Sequence, residues 1–269
     1  MNNRKIVILF ICLLIAGFFC YLQNNLLTVS NYKYKSDKVS GDLEGYTIVQ
    51  ISDLHNRQFG KHQKRLLKKV NALTPDMIVL TGDLVDSNHT DIEKALDFVE
   101  GAVKIAPVYY VTGNHEYWLE EEDLHLLLEG LNRAGVVMLD NEAQKIEKGN
   151  QHFVLLGLND KSLCDDTLKE MKVNDGEFNL LLAHEPQCIS NYSARNVDLV
   201  FSGHAHGGQF ILPFIGAVIA PDQGFFPEYT EGMYTEGGTT MVVSRGLGNS
   251  VIPLRLFNYP DIVCVTLEK

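Results

Sequence analysis

Two histidines, one residue apart, lie in a turn that is rich in glycine: Ser202-Gly203-His204-Ala205-His206-Gly207-Gly208. The turn follows the apolar run 198–201, which predicts a buried strand. In such a turn both imidazoles can point into one small volume, and neutral imidazole is the commonest protein ligand of transition metals. A pair of this kind also occurs on ordinary loops, so its interpretation depends on what the rest of the chain places nearby.

Four earlier apolar runs end in polar side chains that can bind a cation. The runs cover residues 47–51, 77–80, 108–111 and 179–182. The side chains that follow them are Asp53 and His55, Asp83, Asn114 and His115, and His184, in that order. Five of the nine histidines therefore come directly after predicted strands, and the other four, His62, His89, His125 and His152, are predicted to be surface residues.

Helical segments separate most of these runs. An amphipathic pattern predicts a helix that places Leu66, Leu67, Val70 and Leu73 on its inner face, and further helices are predicted at about 91–103 and 120–133. Continuous apolar strands that alternate with helices indicate a parallel sheet that is covered on both faces. Because ligands bind at the carboxyl ends of such strands, the polar side chains should gather there.

Each of these residues has a simpler explanation when it is considered alone. A single Asp or Asn after a strand is usually a turn former or a helix cap, and a single His is more often structural than a ligand. The whole set, in order, at five successive strand ends is much harder to explain in that way. The sequence therefore predicts a metal site.

The composition limits the classes of function. The 269 residues carry a net charge of -11 and are 45% hydrophobic, which is ordinary for a globular protein with a sizeable core. Non-specific nucleic-acid binding needs a basic surface, so this charge makes nucleic acid an improbable partner. An acidic protein that handles phosphates needs local positive charge, which bound metal ions can supply.

The N-terminus predicts a membrane anchor. Residues 6–22 are 17 consecutive apolar residues after Arg4 and Lys5, and as a helix they span roughly 25 Å, close to the thickness of the hydrocarbon core. A cleaved signal peptide and a buried core helix are the alternatives, and the bulky Phe19 disfavours cleavage at this site. We expect an anchor at 1–23, a polar linker at 24–45 and a catalytic domain at 46–269.

The orientation of this anchor is predicted from the flanking charges. Arg4 and Lys5 favour a cytoplasmic N-terminus and a catalytic domain outside the cytoplasm, although Lys33, Lys35 and Lys38 lie on the other side of the span.

The set of motifs resembles the calcineurin-like metallophosphoesterases. The matching blocks are Asp53-Leu54-His55, Gly82-Asp83-Leu84-Val85-Asp86, Gly113-Asn114-His115-Glu116, His184 and Gly203-His204-Ala205-His206. With the anchor and the C-terminal part, the chain further resembles the membrane-associated bacterial branch related to UDP-2,3-diacylglucosamine pyrophosphatases. The resemblance implies a four-layer α/β/β/α sandwich after one transmembrane helix.

The resemblance also implies two divalent metal ions, which could be Mn, Fe, Zn or Co because the ligands are nitrogen and oxygen. Asp53, His55 and His206 would bind the first ion, Asn114, His184 and His204 the second, and Asp83 both. A hydroxide shared by the two ions would attack phosphorus in line. His115 would be the general acid or would hydrogen-bond the phosphate, and Asp86 and Glu116 would support the ligands.

The C-terminal third offers weaker signals. Short strands are expected within 210–221, at 240–244 and at 262–266, and all of them are assigned to the second sheet. Arg245 and Asn249 follow a predicted strand, where they could bind a substrate phosphate, or Arg245 could pair with an acidic residue instead. Phe225 and Phe226 could form an exposed apolar rim or pack in the core.

The sequence thus predicts a membrane-anchored, metal-dependent hydrolase of a phosphodiester or pyrophosphate, with a substrate that could be linked to a lipid. A phosphomonoesterase or nuclease of the same fold is the alternative among enzymes. A non-catalytic metal-binding scaffold is the alternative of another class, although no ligand of the pattern is missing.

Overall fold

A computed structural model describes residues 3–162, 167–171, 173–249 and 253–269. The described residues form two six-stranded mixed sheets. The strand order is β1-β16-β2-β3-β4-β5 in the first sheet and β14-β15-β9-β8-β7-β6 in the second. The strands are β1 Thr28–Lys35, β2 Thr47–Ile51, β3 Met77–Thr81, β4 Val108–Val111, β5 Val137–Met138, β6 Glu142–Lys148, β7 Gln151–Gly157, β8 Asn179–Leu182, β9 Leu199–Ser202, β10 Ile211–Leu212, β11 Gly216–Ala217, β12 Ile219–Ala220, β13 Gly224–Phe225, β14 Gly232–Glu236, β15 Thr239–Val243 and β16 Asp261–Glu268.

Seven α-helices lie in the described part of the chain. They are α1 Asn3–Asn25, α2 Lys64–Ala72, α3 Ile92–Ala102, α4 Asn114–Tyr117, α5 Glu121–Ala134, α6 Thr167–Glu170 and α7 Ile189–Ser193. The helices expected at 91–103 and 120–133 correspond to α3 and α5. The side chain of Asp91 caps α3 by accepting a hydrogen bond from the backbone N–H of Lys94, and Gly135 ends α5 in a left-handed conformation.

The two sheets pack face to face. Alternate residues of each strand point to opposite faces, so in β2 Ile48 lies in the core between the sheets while Val49 and Ile51 face the helices. Phe153 and Phe201 fill the same central core from the second sheet. The outer face of the first sheet packs against α2, α3 and α5, and that of the second against α6 and α7. The predicted four-layer α/β/β/α sandwich is confirmed.

Residues 24–45, which the sequence predicts to be a linker, contain a strand of the first sheet. β1 pairs in parallel with β16 over eight residues, from Thr28 opposite Asp261 to Lys35 opposite Glu268. β1 is an edge strand and is buried mainly at Tyr34, whose ring stacks on Phe178. Its polar composition is what an edge strand with one solvated face requires, and for that reason it resembles a linker in the sequence.

The C-terminal strands also differ from the expectation. β15 belongs to the second sheet as predicted, but β16 lies in the first sheet between β1 and β2. β10 pairs with β11, and β12 pairs with β13, as two separate two-stranded hairpins. Because a short apolar strand can pair with either sheet, its local sequence does not decide which sheet it joins.

The apolar N-terminal segment forms α1, the one helix among the described residues that is long and apolar enough to cross a membrane. Its mean hydropathy is 2.6, and only 6% of its apolar window is buried against the rest of the chain. A core helix would be buried, so the exposure disfavours that alternative.

Candidate metal centre

The carboxyl ends of β2, β3, β4, β8 and β9 meet at one edge of the sandwich, and the side chains predicted to bind metal lie together there. All of them are buried: Asp53, His55, Asp83, Asn114, His184, His204 and His206. Gln50 joins the two sheets beneath them, because its side-chain amide donates hydrogen bonds to Thr81 Oγ1 of β3 and to the carbonyl of Ser202 in β9, each at 2.8 Å.

One group of ligand atoms contains Asp53, His55, Asp83 and His206. The Nε2 atoms of His55 and His206 lie 3.2 Å apart. His55 Nε2 is 3.5 Å from Asp83 Oδ2, and His206 Nε2 is 3.5 Å from Asp53 Oδ1. Ligand atoms around a cation that is bonded at about 2.1 Å are about 3.0–3.4 Å apart, so this spacing fits a metal ion.

A second group contains Asp83, His184 and His204. His184 Nε2 and His204 Nδ1 lie 3.2 Å apart, and they are 3.1 and 3.0 Å from Asn114 Oδ1. His184 Nε2 is also 3.3 Å from Asp83 Oδ2. The same carboxylate oxygen of Asp83 therefore faces both groups, which is the arrangement that a ligand shared by two cations requires.

Hydrogen bonds select the nitrogen that each ring of the second group offers. Nδ1 of His184 lies 2.7 Å from the carbonyl oxygen of Thr81, so it must donate its proton there. Nε2 of His204 lies 2.8 Å from Asp222 Oδ2 and donates to that carboxylate. The other nitrogen of each ring then presents a lone pair to the centre, as metal-binding histidines do.

Polar atoms of the first group lack a protein partner. Within the described ranges, Oδ2 of Asp53 and Nδ1 of both His55 and His206 have no hydrogen-bond partner, although all three atoms are buried. A buried polar atom without a partner is costly, and a cation bound in this group would give the Asp53 carboxylate a partner. The two Nδ1 atoms lie on the side of each ring away from the Nε2 atoms of the group. The donor set fits a divalent transition metal, because it consists of carboxylate, amide and imidazole groups.

Lowered pKa values keep most of these imidazoles neutral. Burial lowers the pKa of His55 and of His204 to about 4, and it lowers that of His206 well below the usual value. Burial also lowers the pKa of His184, but the adjacent Asp83 carboxylate outweighs it and raises this pKa. A proton would therefore compete with a cation for Nε2 of His184, since Asp83 attracts both.

The two carboxylates differ in their pKa values. Burial raises the pKa of Asp53 to about 6, and the charge of Asp83 adds to this effect. At Asp83 burial acts in the same direction, but the positive charge of His184 and its hydrogen bond outweigh it and lower the pKa of Asp83. Asp83 therefore stays ionised and provides the permanent negative charge of the centre.

The backbone is strained at five of the seven ligands. Positive φ angles of 43–64° occur at Asp53, His55, Asp83, His204 and His206. Residues other than glycine rarely adopt this left-handed conformation, and such strain is retained where the surrounding structure holds side chains in a functional arrangement.

Two glycines allow the loops to approach the carboxylates. A Cβ atom on Gly113 would come within 2.3 Å of Asp83 Oδ1, and one on Gly203 would come within 2.4 Å of Asp53 Oδ2. Glycine is thus required at both positions, because a side chain would collide with the carboxylate of Asp83 or Asp53.

Glu116 supports the centre from beneath. Its buried carboxylate accepts hydrogen bonds from the backbone N–H groups of Asp83, Leu84 and Gly113, at 2.7–2.8 Å. Burial and the charge of Asp83 raise the pKa of Glu116 to about 8. This side chain holds the loops after β3 and β4 together, as the sequence suggested.

His115 borders the first group of ligands. Its ring lies edge-on to the ring of His55, with 4.5 Å between the centroids, and packs on Trp118 at 4.9 Å. The backbone N–H of Ser87 donates to its Nδ1 at 3.2 Å. In the neutral ring the proton is then on Nε2.

The predicted substrate-binding residues have other partners. Arg245 forms ion pairs with Glu231 and with the buried Asp261, both at 3.1 Å. Asn249 donates to Asn24 Oδ1 at 3.0 Å and accepts from Arg255 Nε at 3.1 Å. These contacts favour the alternative in which Arg245 pairs with acidic residues.

Sequence reasoning missed three acidic residues that lie near His184 and His204: Asp160, Glu185 and Asp222. Burial raises the pKa of Asp160 to about 6 and that of Glu185 to about 7. Asp160 begins the short 3-10 helix Asp160–Ser162 and Asp222 lies in a turn, so no strand-end pattern marks them. Glu185 directly follows His184, and this adjacency is the one signal that could have identified it.

Sequence reasoning also missed Arg255, the largest fully buried side chain among the described residues. Its guanidinium donates to the carbonyl groups of Gly248 and Arg245 and to Asn258 Oδ1, and Asn258 Nδ2 donates to the carbonyl of His206 at 2.7 Å. Arg255 thereby supports the loop of His206 from a position 49 residues away in sequence.

The chain is similar in sequence to known proteins. The sequence model of the calcineurin-like phosphoesterase family matches residues 46–208. The uncharacterized metallophosphoesterase YkuE of Bacillus subtilis is 31% identical and the alignment covers 94% of this chain and 90% of that protein. Phosphodiesterase YaeI of Escherichia coli is 30% identical, with 82% of each chain covered.

A transmembrane protein with a metallophosphoesterase domain from Danio rerio is also similar. It is 29% identical, and the alignment covers 87% of this chain and 55% of that protein.

Proposed function

The chain belongs to the calcineurin-like phosphoesterase family, and from this premise we propose that it hydrolyses a phosphodiester or pyrophosphate bond with two divalent cations at the strand ends. Family membership makes it a hydrolase that acts on phosphoester bonds. The observation that carries the proposal is the pair of buried ligand groups that face one oxygen of Asp83.

Each group of ligands would bind one cation. Asp53, His55 and His206 form the first set, Asn114, His184 and His204 the second, and Asp83 is shared. Divalent cations bound there would lower the pKa of water and offset the negative charge of the phosphoryl oxygens. The nitrogen and oxygen ligands fit Mn, Fe, Zn or Co.

His115 supplies the proton in this proposal. Because Nδ1 accepts a hydrogen bond from the backbone N–H of Ser87, Nε2 carries the proton in the neutral ring and can hydrogen-bond the oxygen of the leaving group. To transfer that proton and return to the neutral ring, His115 must first be protonated on Nδ1 as well, and Ser87 Oγ, 3.1 Å away, can accept a hydrogen bond from the added proton. The packing of His115 between His55 and Trp118 fixes the plane of the ring. His115 is therefore proposed as the general acid.

Two observations favour a diester or pyrophosphate over a monoester or nucleic acid. The similar protein YaeI is named a phosphodiesterase. The net charge of -11 opposes a nuclease, since a nuclease has to attract a polyanion. The complete ligand set and the buried His115 oppose a scaffold without turnover, which has no need for a proton donor.

The substrate is proposed to be linked to a lipid, and the protein is proposed to be a single-pass membrane protein. The exposed apolar helix α1 supports both proposals, because it would keep the catalytic domain at the membrane surface. Arg4 and Lys5 before the helix favour a catalytic domain outside the cytoplasm.

The experiment uses the full chain in detergent, stripped of metal and then supplied with Mn²⁺. Hydrolysis of bis(p-nitrophenyl) phosphate and of p-nitrophenyl phosphate is followed side by side. The variants are Asp83→Ala and His115→Asn. Asp97→Ala is the matched control, since Asp97 lies on α3 and pairs with His62 at the surface.

The proposal predicts turnover of the diester that depends on Mn²⁺ and that both site variants abolish or strongly reduce. His115→Asn should keep its metal, whereas Asp83→Ala should lose it, and Asp97→Ala should resemble the unchanged protein. A preference for the monoester would favour the phosphatase alternative. Binding of metal without turnover of either compound would favour the scaffold.

A further inference from the structure

Four phenylalanines project from the loops around the two small hairpins. Phe214 is fully exposed, and Phe225, Phe226 and Phe257 are exposed by 72%, 69% and 47%. Soluble surfaces rarely present several large apolar side chains together, and such groups mark contacts with a protein or a membrane. We call these four residues the aromatic surface.

Backbone hydrogen bonds join the loops of the aromatic surface into one unit. The backbone N–H of Ile211, in the first hairpin, donates to the carbonyl of Leu256 at 2.9 Å, directly before Phe257. Val218 donates to Phe210 at 3.0 Å, and Phe226 donates to Val218 at 2.9 Å. The four aromatic rings therefore belong to adjacent segments and not to unrelated loops.

Three of these phenylalanines have a strained backbone. Phe214, Phe226 and Phe257 have φ angles of 69°, 55° and 54°. The left-handed conformation is unfavourable for a bulky side chain, and Gly or Asn would adopt it more easily. A strained aromatic residue that is exposed to water does not stabilise the folded chain. The presence of three such residues therefore points to a contact outside the chain.

The aromatic surface is continuous with the apolar helix. The ring of Phe257 packs edge-on against the ring of Phe19, with 5.5 Å between the centroids. Phe19 lies six residues before the end of α1, or about 9 Å along its axis. The loop that carries Phe257 therefore lies beside the apolar part of the helix, not beyond its polar end.

Polar contacts fix the end of the helix to the catalytic domain. Arg57 donates to the carbonyl of Asn24 and to Asn25 Oδ1, at 3.0 and 2.9 Å. Arg65 of α2 donates to the carbonyl of Asn25 at 3.0 Å. α1 and the aromatic surface are thus held in one orientation, and a membrane that contains α1 meets the same face of the domain.

Positive charge lies at the polar end of α1. Arg65 is exposed, and Lys61, Lys64, Lys68 and Lys69 are exposed on the same short segment. This basic group stands out on a chain with a net charge of -11. Anionic lipid headgroups would be attracted to it at the level where α1 leaves the bilayer.

The second hairpin also reaches the metal centre. Its turn carries Asp222, whose carboxylate accepts the hydrogen bond from His204 Nε2 at 2.8 Å. Phe225 lies three residues after Asp222, at the end of the same hairpin. A membrane or molecule that contacts the aromatic surface therefore lies next to the ligands of the proposed second cation.

We propose that Phe214, Phe225, Phe226 and Phe257 enter the interface of the lipid bilayer beside α1. The catalytic domain then lies on the membrane through two contacts, the helix and the aromatic surface, and the metal centre opens at the level of the headgroups. The proposal rests on the membrane anchor of the proposed function. It adds to that function a fixed position of the active site at the bilayer.

The experiment places single tryptophans in the full chain and reconstitutes it in nanodiscs of phosphatidylcholine and phosphatidylglycerol. Brominated phosphatidylcholine quenches only tryptophans that reach the acyl chains. The reporters are Phe214→Trp and Phe226→Trp on the surface, and Phe18→Trp in α1. Lys145→Trp is the matched control, because Lys145 is exposed on β6 at the opposite edge of the second sheet. The unchanged protein measures the contribution of Trp118.

The proposal predicts quenching at residues 18, 214 and 226 and none at residue 145. Quenching at residue 18 alone would contradict the proposed entry of the aromatic surface into the bilayer, but it would support the membrane anchor. No quenching at any of these positions would overturn the anchor and the surface together, without touching the phosphoesterase assignment. Unquenched, blue-shifted emission at residue 214 in a dimeric protein would assign the surface to a second copy of the chain and overturn the proposal.

Discussion

Single hydrogen bonds decide which nitrogen of each histidine faces the centre. Asp222 accepts from Nε2 of His204, and the carbonyl of Thr81 accepts from Nδ1 of His184. Each acceptor keeps the opposite nitrogen unprotonated and directed toward Asn114 and Asp83. The affinity for metal should therefore depend on residues that would not touch the cation.

Asp222→Gly should weaken the binding of the second cation. The change removes the acceptor for His204 while allowing the positive φ of 54° at this position. We expect a loss of about tenfold in affinity, the lower end of the usual range, because Asp222 is 63% exposed. Titration of Mn²⁺ against a chelator measures the change. Asp222→Asn, which retains an acceptor, should stay close to the unchanged protein, and an equal loss in both variants would contradict this role.

The pH dependence of stability should report the neutral state of His204. Burial lowers its pKa to about 4 in the folded chain, whereas in the unfolded chain it is about 6.5. As the pH falls from 7 to 5 the unfolded state gains this proton and the folded state does not, so the contribution of His204 to stability falls by about 2 kcal/mol.

The measurement compares the metal-free chain with His204→Asn by urea unfolding in detergent at pH 7 and pH 5. The free energy of unfolding of the unchanged chain, relative to that of the variant, should be lower at pH 5. A difference that stays constant between the two pH values would show that His204 titrates normally.

The proposed metal ligands could be predicted from the sequence because they directly follow strands. The carboxyl ends of parallel strands lie at the same edge of a sheet, so these side chains come together there. Asp222 could not be predicted, since it lies in the turn of the second hairpin, whose position depends on contacts with the first, such as the hydrogen bond from the backbone N–H of Val218 to the carbonyl of Phe210. Arg245 and Asn249 also follow a strand, but their partners Glu231, Asp261 and Asn24 are distant in sequence and cannot be foreseen.

At the scale of elements, the first sheet is completed by a strand outside the segment that the family model matches. β1 covers one edge of β16 over its whole length, and Tyr34 contributes to the core between the sheets. The family model begins at residue 46, after β1. The first sheet therefore includes residues that the sequence predicted to be a linker.

A chain that begins at residue 46 should be less stable than one that begins at residue 26. The shorter chain exposes the edge of β16 and the cavity left by Tyr34, and exposed edges promote aggregation. The two chains are compared by thermal unfolding, which is monitored by circular dichroism, and by gel filtration. A shorter chain with the same melting temperature, still monomeric, would mean that β1 does not stabilise the domain.

The central strands were predictable from the sequence because both of their faces are buried, so they are continuous apolar runs. The edge strand β1 alternates exposed and covered residues from Asn31 to Lys35 and carries two lysines, a composition that is also typical of a linker. The placement of β16 depends on pairing with Thr28, more than 230 residues away, and no local pattern contains that information.

For the whole molecule, α1, the basic segment and the aromatic surface share one side of the catalytic domain. This arrangement suits an enzyme that acts on a substrate held in a membrane. The overall acidity of the chain opposes the binding of polyanions such as nucleic acids, and the proposed cations would provide positive charge at the reacting phosphate.

The proposed orientation is tested in spheroplasts of an expressing bacterium. Arg4 and Lys5 should remain in the cytoplasm, so protease added outside should degrade the catalytic domain while leaving a cytoplasmic marker intact. Protection of the domain until the cells are lysed would reverse the orientation without affecting the assignment as a hydrolase.

The central claim is that two cations share Asp83 and together support hydrolysis. The most direct measurement determines bound Mn²⁺ per chain and turnover of bis(p-nitrophenyl) phosphate in the same samples of the unchanged protein and Asp83→Asn. We predict two ions per unchanged chain, with turnover that appears only as the second ion binds, and a loss of both in the variant. Full turnover with a single bound ion, or in Asp83→Asn, would contradict the account.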